Sequence, residues 1–424
     1  MTATTTLTLT PDQQQAYEAF SSFILTPHES VFVLSGYSGT GKSTLVSHLV
    51  EELPNLFKML KTIDPGNKNY NWSIALTATT NKAAEAFSYL TGQDVTTIHS
   101  FLGIRVQTDY KTGENRLALS RSAGGPVTNH VIFIDEASYV DKQLLDLIFK
   151  RTKNCKVVFI GDPAQIAPVR SNRTPVFEAG FPEVKLSKVV RQVEGNPIID
   201  LATRFRNTVN TGEFFSFTPD GQHIQYLDRE EFDQAIVKEF DDPTWKYTRS
   251  KVLAWTNKAV IVYNKAIRNL VKGNPEFQVG DYAICNQYIK KFNSNYQLKT
   301  DQLVHITKIG SHHHSESGLD GHLIEVNHVE EFFMPHSLQE KNRVLNQARK
   351  SNAWGLVQEI TNEWIDLRAA YAQTINKSQG STYDMVFIDL DDVKKCRNGN
   401  LLARMLYVAV SRARYRVVLT GDIL

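Results

Sequence analysis

This sequence has little of what marks secreted, membrane-bound or disulfide-stabilised proteins. Its three cysteines, Cys155, Cys285 and Cys396, lie far apart without a Cys-x-x-Cys spacing, which argues against a disulfide framework or a zinc knuckle. The N-terminus has neither the basic nor the apolar segment of a signal peptide, and no stretch approaches the roughly 18 apolar residues of a membrane span. We therefore expect a cytoplasmic protein without a membrane partner.

Charge of one sign is also scarce. The formal net charge is +2, so no global field attracts the chain to polyanions, and a nucleic-acid-binding protein of this composition would need a local basic groove. With 424 residues, 42% of them apolar, the chain is long enough for about two to four domains with substantial cores.

Short apolar runs alternate with helical patterns, as is typical of parallel strands covered by helices on both faces. In the first part of the chain, a helix is expected from Thr10, where Pro11 suits the first turn. The other predicted elements there are the strands Val31–Leu34, Ile74–Thr77, Val131–Ile134 and Val157–Ile160 and the helices Lys42–Leu53 and Asn81–Leu90. A second set comprises the strands Val252–Trp255, Met385–Ile388 and Val417–Leu419 and the helices Lys258–Val271 and Leu401–Ala413. The sequence therefore predicts two α/β units in tandem.

Two segments interrupt this alternation. Residues 104–125 surround the turn-like Lys111–Glu114 and predict a protruding hairpin in the first domain, which we place at residues 1–182. Residues 275–365 begin with β-rich pieces and continue as a charged helical stretch, and we interpret them as an inserted small β-barrel with a helical tower. The second domain is then formed by residues 183–274 and 366–424.

The clearest motif is Gly36-Tyr-Ser-Gly-Thr-Gly-Lys-Ser43, which matches the phosphate-binding loop G-x-x-x-x-G-K-[ST]. Its glycines let backbone N–H groups converge on phosphate oxygens, and the helix that follows adds its positive N-terminal end. Lys42 is expected to reach the β- and γ-phosphates of ATP, and the Ser43 hydroxyl to bind Mg²⁺. A plain Gly-rich turn is the alternative. The candidate nucleotide-binding residues here are Gly36, Gly39, Thr40, Gly41, Lys42, Ser43 and Thr44.

An acidic pair follows the predicted strand Val131–Ile134, at a carboxyl strand end where open α/β sheets bind ligands. Beside a P-loop, Asp135 is predicted to hold Mg²⁺ through water, and Glu136 to orient and deprotonate the attacking water. Alone, the pair would be interpreted as an ordinary helix cap.

Two glutamines have competing interpretations. Gln165 follows the predicted strand Val157–Ile160 and would either sense the γ-phosphate or bond to its own loop backbone. Gln13 completes a Thr10-x-x-Gln13 capping box, which satisfies helix N–H groups without any ligand.

Taken in order, these elements resemble the motifs of superfamily 1 helicases of the 5′→3′ subclass, and their layout is similar to that of the bacteriophage Dda helicases and the RecD family. The matching segments are Leu9–Gln13, Gly36–Ser43, Thr77–Ala84, Thr97–Ser100, Asp135–Ser138, Gly161–Val169, Leu186–Gln192, Val252–Lys258, Ala372–Gly380 and Leu406–Arg414. One departure is Asn376, where the family has His, which puts the role of that side chain in doubt.

The resemblance implies two RecA-like domains with ATP in the cleft between them and adenine read by Gln13. It assigns Arg191 and Arg412 to the second domain as charges that complete the ATP site, and it places Gln379 and Gly380 beside the nucleotide. The resemblance also implies that the protein moves along single-stranded DNA toward a duplex fork. The candidate contacts are Thr79, Thr80, His99, Ser100, Thr256, Asn257, Thr374 and Ser378, for each of which capping a helix or closing a turn is the alternative.

The hairpin near Tyr110 is a candidate wedge for parting the duplex, with a solvated hairpin as the alternative. His312-His313-His314 has no partner carboxylate or cysteine at ligand spacing, so we interpret it as a solvated loop rather than a metal site.

The predicted function is an ATP-dependent 5′→3′ DNA helicase and translocase that needs ATP and Mg²⁺. The resemblance is compatible with a monomer that acts in bacteriophage DNA replication, in the host cytoplasm, beside a single-strand-binding protein or other replisome components. An RNA-directed helicase and an ATP-switched remodelling module without unwinding are the alternatives.

Overall fold

The computed structural model describes residues 9–66, 72–108, 115–120, 123–167, 174–188, 195–274, 276–291, 296–315 and 318–422. It divides into two compact units. The first contains the chain up to Ser216 together with Asn398–Ser411, and the second contains Phe217–Arg397 and the chain from Arg412 onward.

The first unit is built on a six-stranded parallel sheet in the order β10-β1-β9-β7-β2-β3. These strands are β1 (Val31–Gly36), β2 (Ser73–Ala78), β3 (Val95–Thr97), β7 (His130–Asp135), β9 (Lys156–Gly161) and β10 (Glu183–Leu186). Every residue of β1 and β9 is buried, as expected for central strands with helices on both faces.

The helices of the first unit are α1 (Pro11–Leu25), α2 (Lys42–Ile63), α3 (Asn81–Thr91), α4 (Ile98–Phe101), α5 (Lys142–Arg151), α6 (Pro175–Glu178), α7 (Pro197–Thr211) and α14 (Gly399–Val410). Successive side chains of β1 enter two different cores because side chains alternate across a strand. Phe32 and Leu34 pack with residues of α1 and α2, whereas Val31 and Val33 pack with residues of α5. Each large apolar side chain buried in this way stabilises the fold by about 1.5–3 kcal/mol.

The first unit also contains two short pairs of strands outside the main sheet. β4 (Ile104–Thr108) and β5 (Asn115–Leu119) form the predicted antiparallel hairpin, whose tip, with Tyr110, lies outside the described residues. β6 (Val127–Thr128) and β8 (Thr152–Lys153) form a short parallel pair.

The predicted boundary at residue 182 differs from the structure. β10, at 183–186, hydrogen-bonds to β1 at the edge of the first sheet, and α7 and α14 also belong to the first unit. The short loop between residues 178 and 183 returns the chain beside β1, a pairing that local sequence pattern does not reveal.

The second unit contains a five-stranded parallel sheet in the order β11-β22-β21-β12-β20. Its strands are β11 (Ile224–Tyr226), β12 (Ser250–Ala254), β20 (Ala372–Thr374), β21 (Tyr383–Asp389) and β22 (Ala413–Thr420). The associated helices are α8 (Arg229–Phe240), α9 (Asn257–Lys272), α12 (Ile375–Ser378) and α13 (Leu390–Val393). The prediction of two α/β units with parallel sheets is thus confirmed.

An antiparallel sheet is inserted into the second unit, in the order β18-β17-β16-β13-β19. Its strands are β13 (Tyr282–Cys285), β16 (Leu303–His314), β17 (Asp320–Val326), β18 (Glu330–Pro335) and β19 (Leu367–Ala369), and β14 (Ile289–Lys290) pairs with β15 (Gln297–Leu298) beside it. Two helices, α10 (Leu338–Lys350) and α11 (Trp354–Asn362), follow β18.

Two details of the insertion correct the sequence interpretation. β19 pairs with β13, so the inserted sheet continues past the predicted boundary at residue 365. His312, His313 and His314 are not in a loop: they form the end of β16, with exposed side chains. Among the described residues, no three or more His, Cys, Asp or Glu side chains are placed to hold a metal ion.

Of the helices in the described ranges, none combines the length and the apolar character needed to cross a membrane.

Candidate active site

The loop between β1 and α2 has the geometry of a phosphate cradle. Gly39 and Gly41 adopt φ values of 83° and 79°, in the left-handed region that favours glycine, and Gly41 is the N-cap of α2. Gly36 has no room for a side chain, because an added Cβ would lie 2.9 Å from both the Leu186 Cβ and the Thr40 Oγ1. The loop therefore folds tightly over the N-terminus of a 22-residue helix, where unsatisfied N–H groups and the helix dipole favour an anion.

The Lys42 side chain is folded back over this loop. Its Nζ donates to the carbonyl oxygens of Gly36 at 2.6 Å and Tyr37 at 2.9 Å. The buried Thr40 hydroxyl donates to the same Tyr37 carbonyl at 2.9 Å. The ammonium group is thus kept at the mouth of the loop, where an arriving phosphate would meet it. Ser43 and Thr44 follow in the first turn of α2, half-buried and exposed respectively.

The acidic pair stands at the carboxyl end of β7, in the same sheet as β1. Burial raises the pKa of Asp135, against the opposing influence of the Glu136 backbone N–H and the Lys42 charge. Glu136 has a φ of 54°, an uncommon value for a residue with a side chain, which turns the chain sharply out of the strand. Backbone strain of this kind is often found at functional sites, where a side chain is held in one orientation.

Thr79, a predicted DNA contact, supports this acidic turn. Its hydroxyl donates to the Glu136 carbonyl at 3.0 Å, and its N–H donates to the Asp135 carbonyl at 3.2 Å. The end of β2 is therefore bonded to the end of β7 at the acidic pair.

Gln165 lies in the loop after β9 and is buried, with a relative exposure of 4%. Its N–H donates to the Asp162 carbonyl at 3.1 Å. Asp162 is fully buried, and its carboxylate accepts from the Ala164 N–H at 2.9 Å and from the Tyr407 hydroxyl at 2.5 Å. Asp162 and Tyr407 lie within two segments that resemble helicase motifs, Gly161–Val169 and Leu406–Arg414. Neither side chain was predicted to belong to the site.

Gln13 forms the capping box and also contacts the P-loop. Its Oε1 accepts from the Thr10 N–H at 3.0 Å and its own N–H donates to the Thr10 hydroxyl, which completes the capping box of α1. Its Nε2 also donates to the Thr40 carbonyl of the P-loop at 3.3 Å. The cap thus places this amide against the nucleotide loop.

A neighbouring carboxylate was missed by sequence reasoning. Asp12 accepts from the Ser187 hydroxyl and from the N–H groups of Ser187 and Lys188, and these hydrogen bonds lower the pKa of Asp12. The segment that leads toward Arg191 is held here, although Arg191 itself lies outside the described residues. Asp12 is the second residue of α1, where its only sequence signal is a first-turn carboxylate.

Four of the hydroxyls proposed to contact DNA make hydrogen bonds within their own turns. The hydroxyls of Thr80, Thr256 and Thr374 cap α3, α9 and α12, and the Ser378 hydroxyl donates to the Ile375 carbonyl at 2.6 Å. At Ser100 it is the backbone N–H that bonds, donating to the Thr97 hydroxyl that caps α4. The four hydroxyls therefore build the turns at the strand ends, which is the role that capping a helix or closing a turn would give them.

Asn257 and His99 are the other two residues predicted to contact DNA. Asn257 is exposed at the first position of α9. His99 is half-buried in α4, and burial lowers its pKa, against the opposing charge of Asp141.

In the second unit, Arg412 is buried, and its guanidinium donates to the Ser381 carbonyl at 3.0 Å. Gln379 is also buried, and Gly380 has a φ of 74°. These residues surround the turn between α12 and β21.

Comparisons with known proteins agree with this arrangement. Residues 8–228 match the AAA domain family, and residues 369–420 match the UvrD-like helicase C-terminal domain. The chain is 27% identical over 463 residues to the ATP-dependent DNA helicase Dda of Enterobacteria phage T4, covering 96% of this chain and 98% of that protein. It is also 20% identical to an uncharacterised protein of Acanthamoeba polyphaga mimivirus, covering 96% of this chain and 98% of that protein.

Among solved structures, a Pif1 helicase from Bacteroides in complex with ADP-AlF3 and single-stranded DNA matches with a TM-score of 0.50 at 17% identity, over 99% of this chain and 93% of that one. A structure describing unwinding of forked DNA by two coordinating Pif1 helicases matches with a TM-score of 0.51 at 17% identity, with the same coverage. At this identity the likeness shows a shared fold.

Proposed function

Because this chain belongs to the superfamily 1 helicases of the Pif1, RecD and Dda type, we propose that it is an ATP-dependent DNA helicase that translocates 5′→3′ along single-stranded DNA. The observation that carries the proposal is the joint placement, in one parallel sheet, of a glycine-rich P-loop after β1 and an acidic pair after β7. The match to an AAA domain with these two features supports ATP binding and hydrolysis, and the match to a UvrD-like helicase C-terminal domain supports helicase activity.

ATP is proposed to bind with its phosphates over the N–H groups of Gly39–Thr44. The Lys42 ammonium would exchange its two carbonyl acceptors for β- and γ-phosphate oxygens, which are stronger partners because they are charged. Gln13, already at the P-loop through the Thr40 carbonyl, is proposed to contact the adenine.

The residues present also fit a magnesium ion. Asp135 is a carboxylate whose charged form is disfavoured by burial, so a cation beside it would offset that cost, and the Ser43 hydroxyl supplies a second oxygen. Mg²⁺, when bound with the nucleotide, neutralises charge on the phosphate oxygens. A site with one carboxylate and one hydroxyl is typical of magnesium held largely by substrate and water.

Glu136 is proposed to orient and deprotonate the attacking water. The positive φ at Glu136 turns the chain out of the strand directly after Asp135, which supports different roles for the two carboxylates. Gln165 is proposed to sense the γ-phosphate. Arg191, Arg412, Gln379 and Gly380 remain predictions from the family resemblance, in which the arginines stabilise phosphate charge during hydrolysis.

Single-stranded DNA is proposed to run past the strand-end turns built by Thr79, Thr80, His99 and Ser100 in the first unit and by Thr256, Asn257, Thr374 and Ser378 in the second. Since five of these six hydroxyls already take part in hydrogen bonds within the chain, their turns would offer mainly backbone groups and exposed side chains such as Asn257 to the phosphates. Contacts of this kind ignore base sequence, which suits a translocating motor. Tyr110 remains the candidate wedge residue at the fork.

The inserted sheet is proposed to be a small barrel with α10 and α11 as its helical tower. Support comes from an isolated bridge between Phe333 of β18 and Trp364, three residues before β19, with the Ile365 N–H donating to the Phe333 carbonyl at 2.9 Å. This contact links β18, at one edge of the sheet, to the segment that leads into β19, at the other edge.

The proposal is tested by steady-state ATP hydrolysis with and without poly-dT, and with poly-U in parallel. We expect strong stimulation by poly-dT, weaker stimulation by poly-U, and no turnover in Lys42→Ala. Hydrolysis that is slow and indifferent to either polymer would point instead to an ATP switch, and stimulation by poly-U alone would point to an RNA-directed helicase.

A further inference from the structure

Two side chains of α14 form hydrogen bonds with loops of the candidate ATP site, and neither was predicted to be a site residue. They are Tyr407, with a relative exposure of 2%, and Arg404, one helical turn earlier. Both contact residues of the first unit, to which α14 itself belongs.

The Tyr407 hydroxyl joins two loops. It accepts from the Ser38 N–H of the P-loop at 3.1 Å, and it donates to the Asp162 carboxylate in the loop after β9 at 2.5 Å. A hydroxyl has one proton to donate and lone pairs to accept, so these two contacts use it in both directions. The bond to Asp162 is the shorter one, and its acceptor is a fully buried carboxylate.

Arg404 holds the other side of the same loop. One guanidinium nitrogen donates to the carbonyl oxygens of both Pro163 and Gln165 at 2.6 Å. Burial lowers the pKa of Arg404, against the opposing charge of Asp162. The loop that carries Gln165 is therefore fixed to α14 at three of its residues.

These contacts do not arise from packing alone. A phenylalanine ring would fill the same buried space, so the polar contacts belong to the hydroxyl, and its bonds to Ser38 and Asp162 both go to loops of the candidate site. The Ser38 N–H lies two residues after Gly36, within the segment that wraps the phosphates, and Asp162 lies three residues before Gln165.

We propose that the Tyr407 hydroxyl is a positioning group for ATP hydrolysis, which sets the place of Gln165 relative to the P-loop. Gln165 is proposed to sense the γ-phosphate, which ADP lacks. Loss of the hydroxyl therefore lowers the rate of ATP turnover and leaves the affinity for ADP unchanged. This inference rests on the proposed function, because it presupposes ATP hydrolysis at the P-loop.

The test compares the full-length chain with Tyr407→Phe, which removes one oxygen and keeps the ring. The matched control is Tyr415→Phe, which removes the same atom from a tyrosine that is 67% exposed on β22. We measure kcat and KM for ATP with saturating poly-dT, and the dissociation constant of ADP by calorimetric titration. We expect Tyr407→Phe to lower kcat about tenfold, the loss that corresponds to about 1.4 kcal/mol, with ADP affinity within about twofold of the wild type.

Two results would overturn the inference. One is a kcat within about twofold of the wild type. The other is a parallel loss of ADP affinity and kcat, which would mean that the hydroxyl merely supports the fold of the P-loop. A wild-type chain that hydrolyses no ATP would refute the proposed function first, and this inference with it.

A double-mutant cycle with Asp162→Asn gives an independent readout, also if Tyr407→Phe is poorly folded. Asp162→Asn changes the same hydrogen bond from its other end, so we expect a similar drop in kcat, and the second substitution to add less than about twofold. Multiplicative effects of the two substitutions would show that the residues act separately and would contradict the proposal.

Discussion

The Asp392 carboxylate accepts hydrogen bonds from four donors at the turn that leads into α9. Its side chain is nearly fully buried, and one carboxylate oxygen accepts from the N–H groups of Trp255 and Thr256 at 2.9 and 2.7 Å. The other oxygen accepts from the Thr256 hydroxyl and the Lys395 ammonium, each at 2.8 Å. Three of the four donors therefore belong to the turn that precedes Asn257.

Asp392→Asn should destabilise the second unit by about 2–3 kcal/mol. The amide keeps one oxygen for the two backbone N–H groups, but it turns an NH₂ group toward a hydroxyl and an ammonium that both need an acceptor. Hydrogen bonds to charged groups are worth about 1.5–3 kcal/mol, and a buried donor without an acceptor has a further cost of about 1–3 kcal/mol, partly relieved because Lys395 is exposed. At about 2–4 °C per kcal/mol, the melting temperature should fall by about 5–10 °C.

The assay is calorimetric melting at neutral pH, with Asp391→Asn as the matched control. Asp391 is one residue earlier, and its partners Lys394 and Arg229 are partly exposed, so its loss should stay within about 1 kcal/mol. If the two variants melted within about 1 °C of each other, the energetic role given to Asp392 would be refuted. We also expect Asp392→Asn to need more single-stranded DNA for half-maximal ATPase stimulation, because the turn carries Thr256 and Asn257.

The effect of Asp392→Asn should depend on pH in one direction. Burial raises the pKa of Asp392, but the bonds from Lys395 and Thr256 outweigh it and hold the pKa below the ordinary value of 3.8. A lowered pKa in the folded state contributes stability that is fully present above the unfolded pKa and is lost as the pH falls through the folded one. The difference between wild type and variant should therefore be largest near neutral pH and shrink in acid below the ordinary value.

Three further predictions concern the ATP site. Glu136→Gln should lower kcat by about 10²–10⁴ while ATP still binds, and rapid hydrolysis by this variant would exclude Glu136 as the base. Gly36→Ala should weaken ADP binding at least about tenfold in a titration, because the new Cβ would meet Leu186 and Thr40 at 2.9 Å; unchanged affinity would mean that the loop can shift freely. Gln13→Ala should cost about 1 kcal/mol of stability through its lost cap and also raise KM for ATP, whereas a drop in melting temperature with no change in KM would leave it a cap only.

The central strands of the two parallel sheets and the P-loop followed from local signals in the sequence. Val31–Leu34 and Val157–Ile160 are continuous apolar runs, and such runs predict buried parallel strands without knowledge of their neighbours. The capping box at Thr10 and Gln13 was equally readable, because its bonds span three residues.

What the sequence did not reveal depends on contacts between distant segments. Tyr407 meets Asp162 across 245 positions, and Asp12 meets Ser187 across 175, so neither pairing has a periodic signature. The edge strand β10 was misassigned for the same reason, since its partner β1 lies far back in the chain. Trp255, predicted as the last residue of a strand, follows the end of β12, and its N–H donates to the Asp392 carboxylate 137 positions away.

The most direct test of the central claim is unwinding of short duplexes that carry a single-stranded tail at either the 5′ or the 3′ end, with ATP and Mg²⁺. The account predicts strand separation from the 5′-tailed duplex, none from the 3′-tailed duplex, and none from either with Lys42→Ala. Separation from the 3′ tail alone would contradict the proposed direction, and ATP hydrolysis without separation from either tail would contradict the helicase itself.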